Sequence, residues 1–265
     1  SGKTTTLYSA LDLLRSPEVN LVTVEDPVEY QLDLINQVQA NESIGMTFGR
    51  VLRSLLRQDP DVIMIGEIRD EETARVAVQA ALTGHLVLAT LHTNDSPSTV
   101  ARLLDMNVEA YLLASALIGV VAQRLARTIC PSCATRYYPS EQVLDDAGLS
   151  DQAGRAFRKG EGCQQCHDSG FQGRMGIYEV MEVTSPVRRA IHRGVAAHEL
   201  RDVLRRDGWR SLREEGVEAA LAGKSTLEEI LRVTSEDDIS EPALPAPILA
   251  GADGTPASTS AAGAI

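Results

Sequence analysis

The chain opens with Ser1-Gly2-Lys3-Thr4, and this stretch decides the fold class. It matches the end of the phosphate-binding motif G-x-x-x-x-G-K-[ST], in which the Lys reaches phosphate oxygens and the hydroxyl holds Mg²⁺. We therefore expect these four residues to bind nucleotide phosphates, with Thr4 as the magnesium ligand. The first half of the motif would precede Ser1, so we expect the chain to be a fragment of a longer polypeptide.

Apolar runs typical of buried strands alternate with helical patterns after this motif, which is the rhythm of an α/β sheet. The predicted strands are Leu21–Val24, Val62–Ile65 and Leu86–Leu91, and the predicted helices are Thr4–Arg15, Phe48–Leu56 and Glu71–Leu82.

Composition narrows the class of protein. A hydrophobic share of 43% is typical of a folded domain, and a net charge of −12 disfavours direct binding to nucleic acid, which depends on Lys and Arg. The apolar stretch Tyr111–Ala122 is shorter than the roughly 20 residues that span a bilayer, so we expect it to form a buried helix.

The chain changes character near Ala126, where Cys and Gly residues become frequent. We predict four segments along the sequence. They are a nucleotide-binding core over residues 1–125, a small metal-binding insert over 126–180, a helical region over 181–234 and a disordered tail, rich in Pro, Ala, Gly and Ser, over 235–265.

Two acidic clusters follow predicted strands. Glu25 and Asp26 come directly after an apolar run, and the carboxyl ends of strands in such sheets face the ligand crevice. There they are placed to reach nucleotide-bound Mg²⁺, although a solvated Asp-Pro turn explains them equally well.

The second cluster is Asp61-Val62-Ile63-Met64-Ile65-Gly66-Glu67. An apolar strand ending in an acid is the Walker B arrangement, with Gly66 at the usual Asp position. Glu67 is then the candidate to orient or deprotonate an attacking water. The competing interpretation is a simple ion pair between Glu67 and Arg69.

Two further features leave alternatives open. His92 ends another apolar run, where an imidazole is placed to sense a γ-phosphate, although a lone His of this kind is more often structural. Arg50, Arg53 and Arg57 form a stripe on one predicted helix. This stripe is either a solvated face or a source of arginine fingers to nucleotide phosphates.

The four Cys residues form two C-x-x-C pairs, Cys130/Cys133 and Cys163/Cys166. Four thiolates in this spacing predict a closed, structural zinc site. Cys163 to His167 also matches the C-x-x-C-H pattern of haem attachment, which the second Cys pair disfavours.

The chain as a whole resembles one family, the ATPases that drive type II secretion and type IV pilus assembly. The resemblance covers most of residues 1–234. It is carried by SGKTTTLY, TVEDPVEYQL, INQVQ, RQDPDVIMIGEIRD, ALTGHLVLATLHTND, QRLARTICPSC, CQQC, GRMGIYEV and TLEEILRVT.

This resemblance implies a RecA-like ATPase domain with a tetracysteine zinc insert and a C-terminal helical region. The matching motifs are the phosphate loop, an aspartate box, a Walker B glutamate and a histidine box. Catalysis is thereby assigned to Glu67, Glu25 and His92. Nucleotide binding is assigned to Ser1, Gly2, Lys3, Thr4, Thr5, Asp26, Glu29, Arg53, Arg57, Arg69, His85 and Arg174.

The resemblance also implies the cofactors and partners. The expected ligands are ATP, Mg²⁺ and Zn²⁺, and the expected assembly is a homohexamer at the cytoplasmic face of the inner membrane. There it would act on a membrane platform protein, without direct contact to nucleic acid. Retraction-type pilus motors generally lack the tetracysteine insert, so the match favours export or assembly.

Two other functions compete with this one. The chain could be a catalytically incompetent, zinc-stabilised fragment that serves only in oligomerisation or binding, because half of the phosphate loop is absent from it. A DNA-uptake or conjugation motor of similar fold is the second, and the acidic balance argues against it.

Overall fold

The computed structural model describes residues 2–235. The predictions for Ser1 and for the tail beyond residue 235 lie outside that range. Helices in the described part are α1 Lys3–Leu14, α2 Phe48–Leu55, α3 Glu71–Leu82, α4 Ser96–Asp105, α5 Ala110–Ala116, α6 Glu141–Asp146, α7 Ser185–His192, α8 Ala197–Arg206, α9 Leu212–Leu221 and α10 Leu227–Val233. Strands are β1 Leu21–Glu25, β2 Ile35–Gln39, β3 Val62–Ile65, β4 Leu86–Ala89, β5 Gly119–Ile129, β6 Ala134–Tyr137, β7 Phe157–Gly160 and β8 Phe171–Glu182.

A parallel sheet in the order β2-β1-β3-β4 forms the centre of the fold. The three predicted strands are confirmed, with β4 ending two residues early, at Ala89. All residues of β1 and β3 are buried. Continuous apolar runs are stable here because helices cover both faces of the sheet.

Alternation along β1 and β3 divides the core between these faces. Leu21 and Met64 pack with Tyr8 and Leu11 of α1 on one side. Val22, Val24, Ile63 and Ile65 pack on the other side in a cluster that includes residues of α2, α3, α4 and α5. Thr23 and Glu25 are buried polar residues of β1.

The predicted buried helix over Tyr111–Ala122 is wrong in its second half. Helix α5 ends at Ala116, and β5 begins at Gly119. Val120 and Val121 have β-branched side chains, which favour strands, and they pair with Met181 and Val180 of β8. Long-range pairing therefore overrides the helical pattern.

Strands β5 and β8 form a two-stranded antiparallel sheet, and β6 and β7 form a second one. Helices α9 and α10 pack against these strands around Ile177, Leu227 and Ile230. The predicted limits near 126 and 180 both fall inside strands, β5 and β8, and the division into segments stays a prediction. No helix in residues 2–235 has both the length and the hydrophobicity to cross a bilayer.

Candidate functional site

The amino end of α1 carries the phosphate-motif residues. Gly2 precedes the helix with φ +79°, a left-handed conformation that Gly adopts without strain. Lys3 begins the helix, and its Nζ donates to the carbonyl of Leu91, 3.2 Å away, in the segment that follows β4. The helix N-terminus offers free N–H groups and a positive dipole end, which favour an anion. Gly2 and Lys3 thus lie where a phosphate group would be stabilised.

Glu67, just beyond the carboxyl end of β3, is the acid of this cluster. Its carboxylate pairs with Arg69 and lies 3.0 Å from His92 Nε2, while its side chain is only 12% exposed. Burial lowers the pKa of Lys3 and the positive charge of Arg124 adds to this, while the nearby negative charge of Glu67 opposes both. The structure therefore brings Lys3, Glu67, Arg69 and His92 together, with Arg124 beside them.

Both interpretations of Glu67 have support in this geometry. Its ion pair with Arg69 is present, and the bond to Glu67 raises the pKa of Arg69. However, one oxygen also faces His92, which is largely exposed. A carboxylate held between a cation and an imidazole can orient a water molecule and accept its proton.

Gly66, at the position usually held by Asp, has a packing reason to lack a side chain. A Cβ at this position would lie 3.3 Å from both Glu25 Cα and the Val24 carbonyl oxygen. The Gly66 N–H donates to that same Val24 oxygen at 2.7 Å. Close contact between the end of β3 and β1 therefore excludes a larger residue without local movement.

Glu25 is buried and receives three donors. Its Oε1 accepts from Thr23 Oγ1 at 2.5 Å and from Gln37 Nε2 at 3.1 Å, and its Oε2 accepts from the Tyr8 hydroxyl. Burial and the bond to Glu25 raise the pKa of Tyr8 to about 12. This network ties α1 to β1 and β2. The assignment of Glu25 to catalysis stays a prediction, and its carboxylate is fully engaged in this arrangement.

The other predicted residues are distributed more widely. Thr4 and Thr5 are exposed in the first turn of α1, and Asp26 and Glu29 are exposed after β1. Asp26 is close enough to Arg69 for its charge to contribute to the raised pKa of that residue. Asp26 is therefore the one of these four residues that the structure links to the cluster, through Arg69.

His85 is not part of this cluster. It precedes β4, and its Nδ1 lies 2.9 Å from the Ala80 carbonyl oxygen and 3.1 Å from Thr83 Oγ1, at the end of α3. His92 follows the opposite end of β4. Seven residues of extended chain span roughly 20 Å, so the two histidines act at different places.

Three of the four predicted arginines have no contact with Lys3 or Glu67 in the described part of the chain. Arg53 pairs with Glu72, Arg57 Nη2 lies 3.4 Å from Ser54 Oγ, and Arg174 is exposed on β8. Their assignment to nucleotide binding stays a prediction, and only Arg69 among the predicted arginines contacts the cluster.

Sequence reasoning missed the contribution of β5. Gln123 Oε1 accepts from Thr6 Oγ1 at 2.9 Å, and its Nε2 lies 3.0 Å from the point where a Cβ on Gly2 would be. Arg124, next in sequence, is the cation that lowers the pKa of Lys3. The polar pair Gln123-Arg124 stands out inside an apolar segment of the sequence. Its contact with the start of α1 was not predictable, because Gly2 lies far away along the chain.

The four Cys residues form a second candidate site at the far end of β5 and β8. Their sulfur atoms all lie within 4.8 Å of one another. The Cys130–Cys163, Cys133–Cys166 and Cys163–Cys166 sulfur distances are 3.9, 3.8 and 3.7 Å. A tetrahedral zinc with bonds of about 2.3 Å separates its sulfur ligands by about 3.8 Å. The donor set therefore fits zinc in both chemistry and spacing.

Backbone groups prepare one of these sulfurs for metal binding. Cys166 Sγ accepts N–H bonds from Cys163 at 3.2 Å and from Gly170 at 3.3 Å. Although burial opposes it, these bonds lower the pKa of the Cys166 thiol to about 6. Such donors stabilise a thiolate, which is the form that binds metal.

Comparison with known sequences identifies related proteins. A sequence model of the family described as "Type II/IV secretion system protein" matches residues 1–232. Over 89% of its length the chain is 52% identical to the type II secretion system protein HxcR of Pseudomonas aeruginosa, of which it spans 47%. It is 48% identical, again over 89% of its length, to the type IV pilus assembly ATPase PilB of Thermus thermophilus, of which it spans 27%. The chain thus spans about half or less of these relatives.

Solved structures give the same picture. The pilus retraction motor PilT with bound ADP matches 90% of this chain and 59% of its own, with a TM-score of 0.66 and 28% identity. The Legionella pneumophila ATPase DotB matches 86% of this chain and 56% of its own, with a TM-score of 0.61 and 21% identity. The chain therefore has the α/β fold of these ATPases.

Proposed function

This chain belongs to the Type II/IV secretion system protein family, and we propose that it is the ATP-hydrolysing part of a motor for type II secretion or type IV pilus assembly. The observation that carries the proposal is the meeting of Lys3, Glu67 and His92 at the carboxyl end of the parallel sheet. The reaction is the hydrolysis of ATP to ADP and phosphate, in a RecA-like arrangement of the sheet.

Each residue of the cluster has a separate role in this proposal. The free N–H groups of α1 and the Lys3 ammonium bind the β- and γ-phosphates, and the Thr4 hydroxyl contributes a ligand to Mg²⁺. Mg²⁺ would neutralise charge on the phosphates when bound. Glu67 orients the attacking water and accepts its proton, while His92 keeps the carboxylate turned toward the phosphate.

The remaining predicted residues extend this site. Asp26 and Glu29 bind the magnesium ion or the water molecules around it. Glu25, the last residue of β1, holds the segment that carries them in position. Bound ATP competes with Glu67 for Arg69, and the Arg69 guanidinium then neutralises phosphate charge. Arg53, Arg57, Arg174 and His85 lie away from Lys3 in one chain, so their proposed contacts with nucleotide are made across a subunit interface of a homohexamer.

The tetracysteine site binds zinc in this proposal, and its role is structural. Four sulfur ligands would complete the tetrahedral coordination of the zinc ion, so no open position would be left for a catalytic water or a substrate. The match of these spacings to zinc supports it over haem attachment, which needs only Cys163, Cys166 and His167.

Coupling and location follow from the relatives. We propose that subunits of the hexamer change their contacts as ATP is turned over, and so move a platform protein of the inner membrane from the cytoplasmic side. The names of the relatives favour this motor over an inactive binding fragment. The net charge of −12 also disfavours direct contact with DNA.

The test is substitution of Glu67 by Gln, measured on this chain and on a form extended to the length of its relatives. In the extended form we expect ATP binding to persist while kcat falls by about 10²–10⁴-fold, the usual contribution of a positioned base. Glu71→Gln is the matched control, since Glu71 is an exposed acid that pairs with Arg75. Turnover within a few-fold of wild type in Glu67→Gln would contradict the proposal. ATP binding as tight in this chain as in the extended form would show that the added residues do not contribute to nucleotide binding.

A further inference from the structure

A cleft between α7 and α8 is independent of the sites described above. Thr184, which precedes α7, donates its hydroxyl to Asp207, which follows α8, at 3.0 Å. The start of α7 is therefore beside the end of α8, and the two helices run antiparallel. Val187, Ile191, Leu200 and Leu204 are buried at their junction. Along the solvent side of this junction lies a cavity of about 480 Å³.

Basic side chains dominate the wall of this cleft. Arg189, His192 and Arg193 line it from α7 and its end, and Arg206 lines it from α8. Pro186, Val203 and Asp207 complete the wall. The three guanidinium charges exceed the single carboxylate, whose Oδ2 already accepts the Thr184 hydroxyl. This local excess of positive charge occurs in a chain whose net charge is −12.

Two other arginines of the same region are paired with carboxylates. Arg201, also on α8, pairs with Asp95, and Arg210 pairs with Glu215 at 2.8 Å. In the part of the chain from residue 2 to 235, no carboxylate forms an ion pair with Arg189, Arg193 or Arg206. Other arginines of this region, such as Arg205, also form no ion pair within the described residues, so what requires an explanation is that three such arginines line one cavity.

Helix dipoles do not supply that explanation. Cations near a helix C-terminus gain about 0.3–1 kcal/mol from the dipole, which suits Arg189 and Arg206 in the last turns of their helices. However, the two helices run antiparallel, so the partial charges at their adjacent ends offset each other. The dipole also gives no reason for the arginines of two helices to face one cavity.

We propose that this cleft is a binding site for a phosphate-bearing anion. Guanidinium groups form paired hydrogen bonds with phosphate oxygens, and three of them suit a group with more than one phosphate or a phosphate with several free oxygens. The cavity volume lies in the range of small-ligand sites, roughly 300–1,000 Å³. Because guanidinium groups supply most of the polar lining and no Phe, Tyr or Trp lines the cleft, the phosphate group itself is the recognised part. The source is either a soluble polyphosphate or a phospholipid headgroup.

The experiment uses the 265-residue chain carrying Lys3→Ala, so that the nucleotide site does not contribute. Inorganic pyrophosphate is titrated by calorimetry, and sedimentation measures binding to vesicles of phosphatidylglycerol or of phosphatidylcholine alone. We expect Arg189→Gln with Arg206→Gln to weaken binding about a hundredfold, because each lost charge-assisted hydrogen bond costs roughly a factor of ten. Arg189→Lys should retain part of the affinity.

The matched control is Arg136→Gln with Arg158→Gln. These two arginines are exposed and are paired across β6 and β7. Their substitution removes the same charge from the protein and leaves the cleft unchanged. Saturable pyrophosphate binding that only the cleft variant loses supports a soluble ligand, and the same pattern with phosphatidylglycerol vesicles supports a lipid headgroup. Absence of binding to both probes, or equal losses in both double variants, would overturn the proposal. Neither readout depends on ATP hydrolysis.

Discussion

The carboxyl end of the parallel sheet and the tetracysteine end of β5 and β8 bring their functional side chains together in different ways. At the sheet, Lys3, Glu67 and His92 come from three separate elements, and several charged groups remain open to solvent. At the tetracysteine end, each Cys pair comes from one tight turn, and all four sulfurs face one point. The first region is suited to bind and release a ligand, whereas the second is suited to hold a metal permanently.

The two regions are physically continuous through β5. Gln123 contacts the start of α1, and Cys130 follows the end of the same strand. We therefore expect the stability of the tetracysteine end to depend on one bound ion, and the stability of the sheet end to depend on many hydrogen bonds.

Metal removal should have the largest effect. We expect purified protein to hold one zinc per chain, and Cys133→Ser or Cys166→Ser to lose it and to unfold residues around β6 and β7, because binding and folding of such sites are coupled. Metal analysis and hydrogen exchange measure this. His167→Ala should keep its zinc, since the four sulfurs suffice. A folded, metal-free insert, or haem absorbance that depends on His167, would contradict the assignment.

Loss of the buried carboxylate should have the next largest effect, at the sheet end. Glu25→Ala leaves the Tyr8 hydroxyl and the Thr23 hydroxyl without their acceptor, whereas Gln37 Nε2 retains the Tyr30 carbonyl. We expect the free energy of unfolding to fall by about 2–4 kcal/mol, since each buried group left unsatisfied costs roughly 1–3 kcal/mol. Denaturant unfolding measures it, with exposed Glu29→Ala as the control. Unchanged stability with lost turnover would show instead that Glu25 acts only in catalysis.

Acid should weaken the contacts that Glu229 makes between helix α10 and strand β5. Glu229 is buried and accepts bonds from Arg127 and Arg232. Burial opposes ionisation of Glu229, but these donors prevail and lower its pKa to about 2.

Because the folded pKa of Glu229 lies below the unfolded value near 4.3, its stabilisation is present at neutral pH. It is lost as pH falls from about 4.5 towards 2. We expect about 2 kcal/mol of loss after allowing for solvent screening. The free energy of unfolding of Glu229→Gln should therefore vary less with pH than that of wild type over this window. Parallel curves for the two proteins would disprove the role of Glu229.

Substitution of Gly66 by Ala should have the smallest effect. The added Cβ would approach Glu25 Cα and the Val24 oxygen at 3.3 Å, so β3 must shift slightly. We expect a loss of about 1 kcal/mol in the free energy of unfolding, the lower range for overpacking. Ala substitution at Gly84, where a Cβ would contact nothing within 4 Å but φ is +106°, separates packing from backbone strain. Equal or greater stability of Gly66→Ala would refute the packing argument.

Much of the architecture was predictable because its signals are local. The strand Val62–Ile65 and the helix Glu71–Leu82 have the predicted limits, since an unbroken apolar run and a 3.6-residue period are visible in a short window. Strand β2 was not predicted, because its pattern is polar and only its pairing with β1 makes it a strand. The segment after Ala116 was predicted as helix and is a strand. The prediction was wrong because the strand with which it pairs, β8, lies far along the chain.

Residue types and their spacing specify which chemical groups this protein has: a phosphate-motif Lys, an acid after an apolar strand and four Cys in two pairs. The fold in three dimensions selects which of them meet. It placed His92 beside Glu67 and His85 at the far end of β4, and it buried Glu25 beneath Tyr8. It also gathered Arg189, Arg193 and Arg206 around one cleft. The physical reason is that residue type and local period are written along the chain, whereas contact between distant residues is fixed only by strand pairing and core packing.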